Sequence, residues 1–321
     1  MSSANLVQQL LSGDRRALGK LITLVDDGTQ DGKEAIVKLF PKTGNAHIIG
    51  ITGSPGVGKS SLINAIVKNI RGRNKTVGIV AVDPSSPFSG GALLGDRIRM
   101  QDHFTDEGVF IRSLASRGSL GGLSRSANNV VRLLDAFGRD VIIVETVGAG
   151  QVEVEIVKIA QTVIVVMSPG YGDVIQMLKA GIIEIGDIFV INKSDLEGAN
   201  RTVEGLMSVL ELNQKKEGWN PPILQTVAIA NKGITELVDT VERHRDYVRK
   251  SGVLNSRERK GVENELVQLV NEQVYEKITG EDVGEGENLN TLVSKVLSRQ
   301  LDPYSAAEKI LSGLQKGKNE S

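Results

Sequence analysis

Gly53-Ser54-Pro55-Gly56-Val57-Gly58-Lys59-Ser60 is the stretch from which the rest of this chain is read. It matches G-x-x-x-x-G-K-[ST] in full. The apolar run His47-Ile48-Ile49-Gly50-Ile51 precedes it, and Ile63, Ile66 and Ile70 after it fall on one helical face. Strand, glycine-rich loop and helix in that order is the setting the motif requires. The glycines let backbone N–H groups converge on phosphate oxygens, and the helix N-terminus adds partial positive charge. Lys59 is expected to reach the β- and γ-phosphates, and the Ser60 hydroxyl to be a Mg²⁺ ligand. Ser61 completes the expected phosphate-side contacts.

Outward from this loop, residues 46–250 alternate strand-length apolar runs with helical periods. The runs are Val77–Val82, Val109–Ile111, Val141–Val144, Val163–Met167, Ile188–Ile191 and Ile223–Val227. They show little polar alternation, as expected of strands covered on both faces in a mainly parallel sheet. The expected fold is therefore α/β: a P-loop NTPase domain whose sheet is flanked by helices. Residues 1–45 form a helical lead-in, with Leu18, Leu21, Ile22 and Val25 at i, i+3, i+4, i+7 and Asp14 placed as an N-cap. Residues 251–321 lose the strand signal. Val262, Leu266, Leu269, Val270, Val274 and Ile278 make a helical stripe, Gly284-Glu285-Gly286-Glu287 reads as an exposed loop, and Asp302-Pro303 starts another helix. Periodicity leaves two readings of this tail open: packing on the main domain, or a dimerisation or docking arm.

The run Ile188–Ile191 ends in Asn192-Lys193-Ser194-Asp195, an N-K-x-D pattern. The Asp195 carboxylate can accept both N1–H and the 2-amino hydrogens of guanine, a paired contact adenine lacks. Lys193 would lie along the base and Asn192 would brace neighbouring loops. Val227-Ala228-Ile229 stands where a backbone N–H would support the guanine O6. GTP or GDP is the expected nucleotide.

Three acids are expected near the γ-phosphate as metal neighbours, together with Ser60. Asp83 ends one run, Glu145 ends another, and Asp96 lies in the glycine-rich segment Gly90–Arg97. Ligands of open α/β sheets sit beyond the strands' carboxyl ends, and Mg²⁺ takes such oxygens directly or through water. Lys59, Glu145 and the backbone of Gly148 are the candidate catalytic groups, Gly148 as a γ-phosphate sensor that permits close approach. Gln151 has two open readings, a water-orienting side chain or a solvent-facing one, and Arg97, Arg99, Arg117 and Arg125 are further candidates for charge stabilisation.

Composition narrows the partners. Lys plus Arg (38) almost balances Asp plus Glu (39), so charge argues for neither nucleic acid nor an anionic membrane. The absence of cysteine removes disulfides and thiolate metal sites and fits a reducing compartment. No run approaches the length needed to span a bilayer, and the opening segment lacks a signal-peptide core, so the expectation is a cytoplasmic protein.

Taken together, the phosphate loop, Val82-Asp83-Pro84-Ser85-Ser86-Pro87, Gly95-Asp96-Arg97-Ile98-Arg99-Met100, Val144-Glu145-Thr146-Val147-Gly148-Ala149-Gly150-Gln151, Asn192-Lys193-Ser194-Asp195 and the opening Gly13-Asp14-Arg15-Arg16-Ala17-Leu18 resemble the MeaB/ArgK/MMAA family. The resemblance covers roughly residues 5–250. It implies a GTP-hydrolysing chaperone that gates cofactor loading and protection of an adenosylcobalamin-dependent acyl-CoA mutase, typically methylmalonyl-CoA mutase. It also implies a homodimer through the C-terminal arm, and a mutase-sensing switch at Ser168-Pro169-Gly170-Tyr171-Gly172-Asp173 through Lys179. Three other readings compete. A nickel or cobalt metallochaperone would want Cys/His clusters, and this chain has only the separated His47, His103 and His244. A nucleotide-gated scaffold would bind without appreciable turnover, and a small-molecule kinase would pass phosphate to an acceptor other than water.

Overall fold

A computed structural model describes residues 3–83, 103, 105–115, 122–146, 156–170, 181–212, 218–280 and 288–316. The apolar runs become β1 (His47–Thr52), β2 (Val77–Asp83), β3 (Val109–Ala115), β4 (Val141–Thr146), β5 (Thr162–Met167), β6 (Ile188–Asn192) and β7 (Ile223–Thr226). They form one sheet in the order β3-β2-β4-β1-β5-β6-β7, with every pair parallel. β3 continues to Ala115 beyond the apolar run. As an edge strand it accommodates polar residues, and Arg112 reaches Thr23 Oγ1 at 3.2 Å. β7 stops at Thr226 because Val227 turns to pair with Lys232.

Helices cover both faces: α1 (Ser3–Leu11), α2 (Arg15–Asp26), α3 (Gln30–Leu39), α4 (Lys59–Gly72), α5 (Gly122–Ala136), α6 (Ala199–Leu212) and α7 (Ile234–Ser251). The period-2 pleat of β4 divides the core between them. Val141 and Ile143 join Ile63 and Ile66 of α4 and Leu237 of α7. Ile142 and Val144 join Leu18, Leu21 and Ile22 of α2 and Leu133 of α5. Val163 and Phe189 pack with Leu206 of α6 in a third cluster.

The lead-in is three helices rather than one, and it shares the sheet's own core. Leu18, Leu21 and Ile22 are fully buried, each burial contributing about 2 kcal/mol. Asp14 caps α2 by accepting from the N–H of Arg16 (2.7 Å) and Ala17 (3.3 Å), worth about 1 kcal/mol. Arg15 then donates to the carbonyls of Glu107 and Val109, both at 2.8 Å, which ties the lead-in to the start of β3.

The chain divides into two compact units, Met1–Glu258 and Arg259–Ser321. The division falls within α8 (Val253–Gly280), which precedes α9 (Leu289–Leu297) and α10 (Pro303–Lys316). In the second unit Asn288 caps α9 through Thr291 N, and Asp302 caps α10 through Tyr304 N and Ser305 N. Val262, Leu266 and Val270 of α8 are all more than half exposed. The Gly284–Glu287 segment lies outside the described residues.

Candidate functional site

The carboxyl ends of β1, β4, β6 and β7 bring the sequence-marked residues together. The loop from Gly53 to Gly58 leaves β1 and enters α4 at Lys59. Two of its glycines are forced. Gly53 has φ 142°, and a Cβ there would strike the Val166 carbonyl of β5. Gly58 has φ 94°, and a Cβ there would meet Asn192 Nδ2 at 2.5 Å. The buried Lys59 ammonium lies over its own loop, donating to the carbonyls of Gly53 (2.5 Å) and Ser54 (3.2 Å). Ser60 and Ser61 sit in the first turn of α4, Ser61 exposed.

Asn192 joins three segments. Its Nδ2 donates to Val57 O at 2.9 Å, and its Oδ1 accepts from Thr226 Oγ1 and Ala228 N, each at 3.1 Å. The phosphate loop, the end of β6 and the turn after β7 are thus fixed by one side chain. Lys193 adopts φ 56° and donates from Nζ to Gly56 O at 2.8 Å, so its stem runs back toward the loop. Asp195 is exposed at the mouth of this edge.

The turn Val227-Ala228-Ile229 is narrowed by its hydrogen bonds. The N–H of Val227 goes to Lys232 O, Ala228 to Asn192 Oδ1, Ala230 to Val227 O and Asn231 to Ala228 O. The Ile229 N–H takes no part in these bonds, and the Ile229 side chain is 88% exposed. Thr226 escaped the sequence reading. It carries no motif signal, and its hydroxyl matters only because it ends β7 beside Asn192.

At the end of β4, Ser60 Oγ donates to Glu145 Oε1 at 3.2 Å, with Glu145 buried beside Ile51 of β1. Thr146 Oγ1 donates to Thr52 Oγ1 at 3.1 Å and locks the same two strand ends. The backbone of Asp83 ends β2, one step beyond the Val82–Thr146 pairing. The Asp83 side chain, Asp96, Gly148, Gln151, Arg97, Arg99, Arg117, the Arg125 side chain and residues 171–179 lie outside the described residues. Ser168 and Gly170 follow β5 directly, Ser168 buried.

A family model described as methylmalonyl-CoA mutase-associated GTPase MeaB matches residues 18–282. The chain belongs to the MeaB family. It is a GTPase, and guanine nucleotide is its ligand. A protein of Pyrococcus abyssi is 50% identical to this MeaB-family chain over 309 residues, covering 95% of each. GTPase ArgK of Escherichia coli is 35% identical over 271 residues, covering 81% of each. The mitochondrial methylmalonic aciduria type A homolog of Mus musculus is 32% identical over 326 residues, covering 95% of this chain and 78% of its own. The crystal structure of an LAO/AO transport system kinase superposes with TM-score 0.71 at 24% identity, covering 98% of both chains, which establishes the shared fold. No helix among the described residues is long and apolar enough to cross a membrane.

Proposed function

We propose that this MeaB-family GTPase is a GTP-controlled chaperone that gates cofactor loading and protection of an adenosylcobalamin-dependent acyl-CoA mutase. The observation that carries the reading is the match of residues 18–282 to a mutase-associated GTPase family. The methylmalonic aciduria name of the mouse relative points the same way. The absence of cysteine supports a cytoplasmic setting.

The proposed chemistry is in-line. A water oxygen bonds to the γ-phosphorus as the bond from that phosphorus to the β–γ bridging oxygen breaks, and GDP departs with the electron pair. Lys59 and the amides of Gly53–Ser60 hold the phosphates and stabilise the charge that develops on them. Asp195 reads N1–H and the 2-amino group, the Ile229 N–H faces O6, and Asn192 and Lys193 hold the two loops in register. Mg²⁺ would be held by Ser60 with Glu145, Asp83 and Asp96, directly or through water, and would neutralise charge on the β- and γ-oxygens. The Ser60–Glu145 contact of 3.2 Å supports this, since a hydroxyl and a carboxylate are the oxygen donors such an ion takes. The Gly148 N–H is assigned to sensing the γ-phosphate. With no water-positioning glutamine or arginine finger identified, turnover by the isolated chain is slow and the partner accelerates it.

Homodimerisation through α8 is part of the same proposal, supported by the exposed Val262, Leu266 and Val270. The test is size-exclusion chromatography with light scattering of the chain and a cobalamin-dependent mutase, in GDP and in a non-hydrolysable GTP analogue. A nucleotide-dependent complex containing two copies of this chain is expected. Absence of any complex in either nucleotide would refute the chaperone reading, and a monomeric chain would refute the dimer.

A further inference from the structure

At the amino ends of the strands, opposite the nucleotide edge, five polar side chains from five segments form one row. His47 opens β1, Thr162 opens β5, Asp187 precedes β6, His244 lies on α7 and Arg257 on the first turns of α8. His47 Nε2 is 2.9 Å from Thr162 Oγ1, which is 2.8 Å from His244 Nδ1. His244 Nε2 is 3.4 Å from Asp187 Oδ1. Arg257 closes the row with a two-point contact, Nη2 to Oδ1 at 2.8 Å and Nη1 to Oδ2 at 3.0 Å. The first four are buried, whereas the Arg257 side chain is 36% exposed.

The first turns of α8 are held by polar contacts. Besides the Asp187 pair, Arg257 donates to Gln161 O at 3.5 Å, and Gln161 Nε2 donates to Glu258 at 3.4 Å. Among the described side chains of α8, none enters the buried apolar core. The nucleotide unit ends at Glu258, directly after Arg257.

Withdrawing one member of a buried ion pair is ordinarily strongly destabilising, because the other charge is stranded. Asp187 keeps two other hydrogen-bond donors when Arg257 leaves. The Val163 N–H donates to Oδ2 at 2.9 Å, and His244 stands on Oδ1; both belong to segments that stay behind. Burial pushes the Asp187 carboxyl up, and the hydrogen bonds from His244 and Arg257 more than offset it, holding the group below the usual carboxylate range.

We propose that Arg257 is a releasable latch: residues 253–258 dock on Asp187 and detach from it as a strap, with His244 closing on the vacated carboxylate. The nucleotide contacts Asn192–Asp195 lie at and beyond the far end of β6, so the latch opens without dismantling them. Trp219, the chain's single tryptophan, reports on it. Its Nε1 donates to Asp187 O at 2.7 Å, and its ring meets His244 edge-on with centroids 4.7 Å apart.

Hydrogen exchange and tryptophan emission of the full GDP-bound chain test the proposal, comparing wild type with Arg257→Met, Arg257→Lys and His244→Ala. In Arg257→Met, the amides of 253–258 are expected to exchange about tenfold faster or more, and Trp219 emission to shift. GDP affinity and the protection of β5 and β6 stay at wild-type values. Arg257→Lys restores part of the protection, and His244→Ala alone leaves 253–258 protected because Arg257 still holds Asp187. Unchanged exchange at 253–258 in Arg257→Met would overturn the latch. Loss of β5 and β6 protection along with the strap, or of GDP affinity, would overturn it too, because the pair would then be a fixed brace of the sheet.

Discussion

At the carboxyl edge of the sheet the polar groups come in short contiguous stretches, Gly53–Ser60, Asn192–Asp195 and Val227–Ile229. At the amino edge they are single side chains drawn from positions 47, 162, 187, 244 and 257. The difference follows from what each edge holds. A phosphate or a base is gripped by several backbone groups at once, and those can converge only from a continuous turn. An internal polar row is satisfied one side chain at a time, so any segment that reaches the place will serve. The first edge is chemistry written in motifs, and the second is packing written in topology.

The largest effect that sharpens this contrast belongs to Lys59→Ala. Loss of its charge-assisted bonds is expected to weaken GTP and GDP binding by about 10²- to 10³-fold, measured by titration with a fluorescent nucleotide. Thermal stability of the unliganded chain should fall far less than nucleotide affinity, since the Lys59 bonds to Gly53 O and Ser54 O are local to its own loop. Retained affinity would break the assignment of this edge. Asp195→Asn comes next: GTP binding should drop about a hundredfold with ATP little altered, and an unchanged GTP/ATP ratio would place base reading elsewhere.

The amino edge answers to pH. Burial first, then the positive charge of Arg245, lowers His47 from 6.5 to about 3. Folded His47 therefore stays neutral where the unfolded residue takes a proton. Between those values the unfolded chain binds more protons, so stability rises with pH up to about 6.5 and is lost as pH falls below it. At pH 4.5 the cost is about 2–3 kcal/mol. His47→Gln should flatten that stretch of the melting-temperature profile; an equally steep profile in the variant would assign the acid sensitivity to other groups. The smallest effect is Thr226→Val. Removing one of two donors to Asn192 Oδ1 should cost about 1 kcal/mol and weaken nucleotide binding severalfold.

How much was legible follows the same division. The parallel sheet was visible because strands buried on both faces read as unbroken apolar runs, and β3 overran its run only because an edge strand carries Arg112. The N-K-x-D pattern was visible, but the partners that make Asn192 a brace, Val57, Thr226 and Ala228, are 34 to 135 positions away and meet it only in the fold. In the lead-in, the stripe of α2 showed one helix. The short α1 and α3 supply Leu6, Leu10, Ala35 and Leu39 to the same cluster without a long enough period to announce themselves. Nothing in the sequence tied Asp187 to Arg257, because an acid before a strand and an arginine in a helix are each unremarkable alone.

The central claim is most directly tested by the GTP hydrolysis rate of the purified chain with and without a cobalamin-dependent acyl-CoA mutase from the same source. A mutase-stimulated chaperone predicts slow turnover alone and a marked acceleration when the mutase is added. Fast turnover alone, or a rate indifferent to the mutase, would contradict it.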